Sequence, residues 1–328
     1  MRTINWGIIG LGNIAHQFVK DLSLVTSAKL MAVASRTASK AQAFADQYGA
    51  VKAYGSYQDL IEDRDIDIIY IATPHDSHLQ WCIEGMSKGK HVLCEKPLAV
   101  NAMQVEAIIA AAKGVSTFIM EAFWTRFNPS IVETLKRIKR GDLGEVNYIN
   151  ADFTFYRDDP LDSRMLNANL AGGSLLDMGV YPVFLAYLIL GKPQEILALG
   201  HQHQTGADLQ TAAILKYPNG VANLMSGFRS QSDMRAKICG TKGSIILEPI
   251  WHETQGLQFL NNRTQNWESV LLPTSGKGFV HEIEECHQCI QGGKNQSDLW
   301  RLSDSLEILR ITDEIRRQIG VRYPFERQ

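Results

Sequence analysis

Over the first third of the chain, short β-branched runs alternate with segments whose apolar residues recur at helical spacing. The runs predict strands at 5–9, 30–35, 66–73, 91–94 and 116–120, and the segments between them predict helices at 14–22, 39–48, 77–88 and 102–113. Glycine follows each of the last three helical segments, where it commonly ends a helix. Such alternation predicts an α/β fold with a doubly wound parallel sheet and helices on both faces.

After Phe127-Asn128-Pro129 the pattern becomes that of antiparallel strands. An amphipathic helix at 131–140 is followed by alternating segments at 146–156, 196–202, 211–217, 221–228, 236–239, 244–247 and 269–272. Between two of them stands Asn219-Gly220, a strong hairpin signal. We predict one domain over residues 1–122 and a second, α+β domain with a large, mostly antiparallel, open sheet over residues 123–328. Its last helix, 303–319, is expected to pack back toward the first domain.

The composition argues against several kinds of partner. Lys and Arg number 33 against 35 acidic residues, and neither sign is blocked into tails, so no nucleic acid or anionic membrane partner is expected. We find no apolar run of about 18 residues, which predicts no membrane span. The chain enters a strand without a signal-peptide pattern, and its five scattered cysteines fit reduced thiols, so a cytoplasmic location is expected.

A short Cys/His cluster lies near the end of the chain. Cys286 and Cys289 form a C-x-x-C pair with His281 and His287 nearby. A zinc site needs further ligands at matched spacing, and the sequence has no second pair. Residues 279–290 have the pattern of a helix, and no metal site is predicted.

The strongest binding signal is the glycine loop Gly10-Leu11-Gly12-Asn13-Ile14-Ala15. It follows a predicted strand and opens a predicted helix, the context in which G-x-G-x-x-[GA] indicates a dinucleotide. Gly10 allows the tight turn, and Gly12 lets the backbone approach the pyrophosphate. The phosphates would then meet free N–H groups at the start of the helix. The first domain is therefore predicted to be a Rossmann domain.

The end of the second strand indicates which dinucleotide binds. An NAD enzyme usually places an acid about 20 residues beyond the loop, on the adenosine ribose, but no acid lies between Asp21 and Asp46. The strand ends instead in Ser35-Arg36-Thr37, with Lys40 close behind. Arg36 can stack on adenine and pair with a 2′-phosphate, and its hydroxyl neighbours can donate to it. We predict NADP(H), with NAD less favoured.

Two later strand ends carry polar residues that face the same crevice. Thr73-Pro74-His75 follows one strand, with His78 a turn further on, and Glu95-Lys96-Pro97 follows the next. A lysine at the carboxyl end of a late strand points toward the nicotinamide. For His78 two roles stay open: catalysis, or packing of a helix face against the loop.

A catalytic constellation is predicted around the segment that runs from Gly172 to Pro182. Asp177 and Tyr181 stand four residues apart, so on a helix they share one face. Tyrosine has an ordinary pKa of about 10, which a nearby ammonium lowers toward working pH. We predict Tyr181 as acid/base, Lys96 as its electrostatic partner and Asp177 as the group that orients a second hydroxyl; the roles of Lys96 and Tyr181 can be exchanged.

Together these motifs resemble the glucose–fructose oxidoreductase/inositol dehydrogenase family over essentially the whole chain. Tyr181 stands where many members carry histidine, and with the 121–127 segment it is similar to the branch of dimeric dihydrodiol dehydrogenase and NADP-dependent D-xylose dehydrogenase. The resemblance implies NADP, a Lys–Tyr pair and oxidation of vicinal diols or aldopyranoses. It also implies a homodimer that forms through the open face of the second domain's sheet.

The resemblance also implies an aromatic substrate pocket, for which the candidates are Trp124, Phe153, Trp251 and Phe279. Ordinary core packing is the alternative for Trp251 and Phe279. Arg126 has two open roles: it holds the nicotinamide end, or it pairs with a carboxylate at the domain junction. The candidate cofactor residues are Gly10, Gly12, Asn13, Ile14, Ser35, Arg36, Thr37, Lys40, Thr73, Pro74, His75, His78, Glu95, Lys96, Trp124 and Arg126.

Two classes of function follow from these residues. The leading hypothesis is an NADP-dependent oxidoreductase acting on a sugar, a cyclic polyol or a trans-dihydrodiol. The alternative is a non-catalytic, NADP-sensing regulatory protein of the same fold, because fold alone does not decide function. The set Lys96, Asp177 and Tyr181 favours the enzyme.

Overall fold

The computed structural model describes residues 2–158 and 163–327. The strands are β1 Ile4–Ile9, β2 Ala28–Ala34, β3 Lys52–Tyr54, β4 Ile68–Ile71, β5 His91–Glu95, β6 Ile119–Ala122, β7 Val146–Thr154, β8 Glu195–Gln202, β9 Asp208–Tyr217, β10 Gly220–Gly227, β11 Ala236–Gly240, β12 Gly243–Leu247, β13 Gly256–Asn261 and β14 Trp267–Leu271. The helices are α1 Asn13–Leu22, α2 Ala38–Tyr48, α3 Tyr57–Glu62, α4 His78–Ser87, α5 Ala102–Lys113, α6 Pro129–Arg140, α7 Val180–Leu190, α8 Val280–Gln291 and α9 Leu302–Ile319.

The chain forms two compact units, and their division differs from the predicted break after residue 122. The first unit comprises Met1–Phe127 with Ser275–Leu306, and the second comprises Asn128–Thr274 with Glu307–Gln328. Asp21, at the end of α1, explains why the later segment returns to the first unit: its carboxylate accepts hydrogen bonds from the amides of residues 277–279, directly before α8. The last helix is divided between the two: α9 belongs to the first unit up to Leu306 and to the second from Glu307.

The first unit contains a six-stranded parallel sheet in the order β3-β2-β1-β4-β5-β6. This is the strand order of dinucleotide-binding domains, whose ligands lie at the carboxyl ends of the strands. The predicted fold class is confirmed. The sequence pattern missed β3 and α3, because β3 is a three-residue, half-buried edge strand and α3 has only six residues. Neither is long enough to show a hydrophobic period.

The second unit contains an eight-stranded sheet in the order β14-β13-β12-β11-β7-β10-β9-β8. Its neighbouring strands are antiparallel except for β7 and β10, which run parallel. The predicted Asn219-Gly220 hairpin is confirmed, since Tyr217 and Gly220 pair at its base. The pattern missed β13. This strand begins at a glycine, and its six residues do not alternate between buried and exposed positions. On β9, residues alternate between buried and exposed positions from Thr211 to Tyr217, as expected for a sheet covered on one face.

One helical stretch, Ala168–Leu190, is long and apolar enough by length and composition to cross a membrane, with a mean hydropathy of 1.6. It contains no uninterrupted apolar run of about 18 residues in the sequence, because Asn169, Ser174 and Asp177 break the run. In the second unit, 78% of its most apolar window is buried. Such burial is typical of a core helix, which is hydrophobic on all sides because all of its sides pack against the protein.

The core of the first unit includes a buried histidine with two partners. His287 on α8 accepts a hydrogen bond at Nε2 from the indole N–H of Trp6, over 3.0 Å. Because the indole can only donate, Nδ1 carries the ring proton and donates it to Ser27 Oγ at 2.9 Å. Within residues 2–158 and 163–327, no group of three or more His, Cys, Asp and Glu side chains is arranged to hold a metal ion.

This histidine predicts a loss of stability in mild acid. Burial lowers the pKa of His287 from 6.5 to about 4. As pH falls between these values, the unfolded chain binds a proton at this residue and the folded protein does not, so the free energy of unfolding decreases. In urea titrations from pH 7 to pH 4, His287→Gln should show a shallower decrease than the wild type. Identical slopes would mean that His287 does not contribute to the acid sensitivity.

Candidate active site

The loop after β1 is shaped to let a ligand approach the backbone. Gly10 has a φ of +87°, and a Cβ there would stand 2.6 Å from the backbone carbonyl of Ala72. A Cβ added at Gly12 would meet nothing within 4 Å, so the space above it is open. Gly12 is the N-cap of α1, whose first two residues are Asn13 and Ile14. Glycine has no side chain that could cap the helix. The free amides of this first turn fit a pyrophosphate.

The end of β2 presents an exposed cationic segment. Ser35 is buried and accepts a hydrogen bond from the amide of Thr37, whereas Arg36, Thr37 and Lys40 are exposed. Burial raises the pKa of Tyr57, and the nearby Arg36 guanidinium opposes the rise. Because β2 neighbours β1 in the sheet, these donors lie one strand from the glycine loop.

His78 connects the loops that follow β4 and β5. It is fully buried, and its Nδ1 and Nε2 each lie 2.9 Å from a carbonyl oxygen, of Pro97 and Thr73 respectively. Carbonyls only accept, so the ring donates from a protonated nitrogen to the carbonyl that faces it. The contact corresponds to the packing role left open above. Pro74 precedes a short 3₁₀ turn, in which His75 is buried with its ring 5.6 Å from that of His78.

Lys96 directly follows β5, and buried carboxylates hold the backbone on both sides of it. Glu95 accepts hydrogen bonds from the hydroxyl of Tyr70 and the amide of Lys96. Glu121 is fully buried and accepts from the amide of Leu98 at 2.8 Å. Burial raises the pKa of both carboxyls, and these hydrogen bonds oppose the rise. The lysine is thereby fixed at the carboxyl edge of the sheet, where β4 and β5 are neighbours.

Two of the predicted pocket aromatics pack on each other within the first unit. Trp124 and Phe279 stack with their ring centroids 4.7 Å apart, and Phe279 also meets Phe18 of α1 edge-on. Phe279 is fully buried and Trp124 is 5% exposed, so this contact is core packing within the first unit. Arg126 donates from Nε to the carbonyl of Leu299 at 2.9 Å. Burial lowers the pKa of Arg126, and Glu285 and Asp304 oppose the change.

In the second unit, Asp177 lies in a π-helical turn, Leu175–Gly179, that leads into α7. The helical segment that carries Asp177 and Tyr181 is therefore irregular, because one turn has an extra residue. Such turns occur often at functional sites. Asp177 Oδ1 accepts from Arg164 Nη2 at 2.8 Å, and its side chain is 6% exposed.

A buried aspartate that the sequence did not single out anchors this turn. Asp208 Oδ2 accepts hydrogen bonds from Ser174 Oγ at 2.7 Å, from the amide of Leu175 at 2.8 Å and from Thr211 Oγ1 at 3.0 Å. Gly173 approaches the same carboxylate so closely, at a φ of +137°, that a Cβ would stand 2.2 Å from Oδ1. Gly173 therefore makes room for Asp208. Nothing in the local sequence around Asp208 signals this role.

Tyr181 packs in a group of three rings. Its ring centroid lies 5.5 Å from that of Phe153 and 5.0 Å from that of His252, and the latter two rings stack at 4.2 Å. Trp251 is fully buried and donates its indole N–H to the carbonyl of Asp152 at 2.8 Å, which is a core position. Of the predicted pocket residues, Phe153 lies beside Tyr181, and the unpredicted His252 stands against both of them.

Family comparison agrees with both halves of this architecture. Residues 4–123 match the model of an oxidoreductase family with an NAD-binding Rossmann fold, and residues 131–246 match the GFO/IDH/MocA C-terminal domain. The chain belongs to the GFO/IDH/MocA oxidoreductase family. The predicted family is thus confirmed.

Relatives that match over almost their full length narrow the class of oxidoreductase. The chain is 36% identical to trans-1,2-dihydrobenzene-1,2-diol dehydrogenase of Xenopus tropicalis, over 97% of this chain and 99% of the relative. It is 32% identical to the Homo sapiens enzyme of that name, over 99% of each. This GFO/IDH/MocA member is an NAD(P)-dependent dehydrogenase that acts on CH–OH groups.

Two solved enzyme structures are also similar to the whole chain. The 3-ketoreductase KijD10 of Actinomadura kijaniata, in complex with NADP and TDP-benzene, is 26% identical with a TM-score of 0.87. The aldose–aldose oxidoreductase of Caulobacter crescentus, complexed with glycerol, is 26% identical with a TM-score of 0.89. Each match covers 97% of this chain and 98% of the other chain.

Proposed function

We propose that this dehydrogenase uses NADP and oxidises one hydroxyl of a vicinal pair, on a sugar, a cyclic polyol or a trans-dihydrodiol. The proposal is carried by what each unit holds: the first has a dinucleotide loop and a strand-end lysine, and the second has a nearly buried tyrosine and aspartate. Its relatives act, by name, on a trans-dihydrodiol, and one of its structural neighbours acts, by name, on aldoses. All of these substrates carry neighbouring hydroxyls.

NADP preference is supported by the end of β2. Arg36 and Lys40 are exposed there, and no acid lies between Asp21 and Asp46 to bind the adenosine ribose. A guanidinium beside two hydroxyl residues suits a 2′-phosphate, which accepts charge-assisted hydrogen bonds. NADP⁺ bound there would supply the acceptor for the hydride that leaves carbon. KijD10, which is similar over the whole chain, has been solved with NADP.

Tyr181 is proposed to take the hydroxyl proton as hydride leaves the carbon, and to return it in the reverse direction. A phenol needs a nearby cation for this task because its ordinary pKa is about 10. Lys96 is proposed to supply that cation; the exchanged roles remain the alternative within this mechanism. Asp177, held by Arg164, is proposed to orient the second hydroxyl. KijD10 variants altered at a lysine and at a tyrosine have also been solved.

The mechanism predicts that Tyr181→Phe retains NADP binding but loses about 10²–10⁴-fold in turnover, the usual contribution of a general acid or base. The measurement is NADP⁺ reduction with D-xylose, D-glucose, myo-inositol and a trans-dihydrodiol, with NAD⁺ in parallel. Lys96→Met should also lose turnover. Tyr187→Phe, on the same helix, is the matched control and should behave like the wild type.

Near-normal turnover of Tyr181→Phe would remove the tyrosine from proton transfer. Tight NADP binding with no turnover on the panel in either direction would favour the alternative, a non-catalytic NADP-sensing protein. That alternative has no use for a lysine and a tyrosine held in fixed positions, and so we place it second.

The cofactor assignment predicts a selective effect at Arg36. Arg36→Ala should raise the KM for NADP⁺ about 10- to 100-fold, the worth of hydrogen bonds to a charged group, and leave the KM for NAD⁺ nearly unchanged. Lys29→Ala, which removes an exposed cation at the other end of β2, is the control. Equal wild-type affinities for NADP and NAD would contradict the assignment.

The open face of the eight-stranded sheet is proposed to form a homodimer interface. Leu197, Leu199 and Ile214 point outward from it and are 59%, 81% and 47% exposed. Leu197 pairs with Ile214 across neighbouring strands, and these residues line a groove of about 880 Å³. An apolar patch of this kind is typical of an interface, and a two-fold axis would let the same face cover itself.

Leu199→Glu should convert the dimer to a monomer, because dimerisation would bury two unpaired charges. Sedimentation velocity measures the change. Leu24→Glu, at a similarly exposed leucine in the first unit, should remain dimeric. A monomeric wild type would refute the proposal.

We also propose a cytoplasmic location, since the five cysteines are free thiols.

A further inference from the structure

His252 lies against the proposed acid/base but belongs to no motif. Its ring stacks on Phe153 with an angle of 22° between the ring planes, and its centroid is 5.0 Å from that of Tyr181. The side chain is 7% exposed, close to the 5% of Tyr181. An imidazole therefore packs beside the tyrosine, within the second unit.

The backbone that carries His252 is held in a costly conformation. Ile250 has a φ of +58°, a region that β-branched residues rarely adopt. The amide of Trp251 donates to the carbonyl of Met234 at 3.0 Å, and its indole donates to the carbonyl of Asp152 at 2.8 Å. Strain of this kind persists where the surroundings over-determine the conformation, often at functional sites. Here the strained turn at Ile250 directs His252 toward Phe153 and Tyr181.

The chemistry of the three rings differs. Phe153 offers only an apolar face, whereas a histidine ring can donate and accept hydrogen bonds. A pyranose or cyclic polyol has ring hydroxyls beyond the reacting pair, and a benzene trans-dihydrodiol has none. An imidazole beside Tyr181 can therefore distinguish these two substrate classes, which a phenylalanine at that position cannot do.

We propose that His252 is a specificity-determining residue that hydrogen-bonds a further hydroxyl of a pyranose or cyclic polyol, so that this chain favours polyhydroxylated rings over arene dihydrodiols. The proposal rests on the proposed function, in which Tyr181 faces the substrate. A site built to hydrogen-bond a hydroxyl discriminates against analogues that lack it, because the polar group is then left buried without its partner.

The test is His252→Phe, which keeps a flat ring against Phe153 and Tyr181. For D-xylose and myo-inositol with NADP⁺, kcat/KM should fall at least about 10-fold, the worth of one or two neutral hydrogen bonds. For benzene trans-dihydrodiol it should stay level or rise. His252→Gln, which keeps a donor and an acceptor, should recover part of the loss. His203→Phe, on the loop after β8, should leave both values unchanged.

Three results would overturn the proposal: equal losses for polyols and dihydrodiol, no change for either, or a wild type that oxidises dihydrodiols and ignores polyols. Equal losses would mean that His252 only holds Tyr181 in place. Calorimetry separates this proposal from the catalytic one. If the wild type binds myo-inositol about tenfold more tightly than His252→Phe but turns over no substrate, the His252 assignment stands and the dehydrogenase chemistry of Tyr181 fails. A wild type that neither binds nor oxidises polyols overturns the His252 assignment.

Discussion

Buried carboxylates must be supplied with hydrogen-bond donors, and this requirement determines how the candidate site is held together. Asp21, Glu121 and Asp208 are each at most 3% exposed. Each accepts backbone amide hydrogens from a distant segment: residues 277–279, Leu98, and Leu175 respectively. A buried charge without such donors is strongly unfavourable. The donors therefore tie loop backbones to the framework, and two of these loops flank Lys96 and Asp177.

The same requirement accounts for the glycine-rich segments. Gly173 lies against Asp208 and Gly276 against Asp21, and in both positions a Cβ would come within 2.2 Å of a carboxylate oxygen. Gly12 differs, because the space above it is open. Glycines of the first kind admit a carboxylate of the protein itself, and Gly12 leaves room for a ligand's phosphates. A glycine pattern alone does not distinguish these uses.

Much of the fold could be predicted because its elements have strong local signals. The parallel strands β1, β2, β4 and β5 are apolar runs next to amphipathic helices, and Asn219-Gly220 marks its hairpin. The short elements β3 and α3 have too few residues for a period. The return of residues 275–306 to the first unit depends on Asp21, which is more than 250 residues away in the chain from its partners. No local pattern carries that information.

The sequence by itself determined the family, the fold class and the cofactor class, because the glycine loop, Glu95-Lys96-Pro97 and the Asp177–Tyr181 segment are contiguous motifs with fixed chemistry. Only the tertiary structure decided which side chains surround them. It placed Trp251 and Phe279 in the core, put Asp208 beneath the π-helical turn, and brought His252 against Tyr181 from a strained turn 71 residues away. These contacts depend on packing and on the satisfaction of buried polar groups, which act between residues distant in the chain.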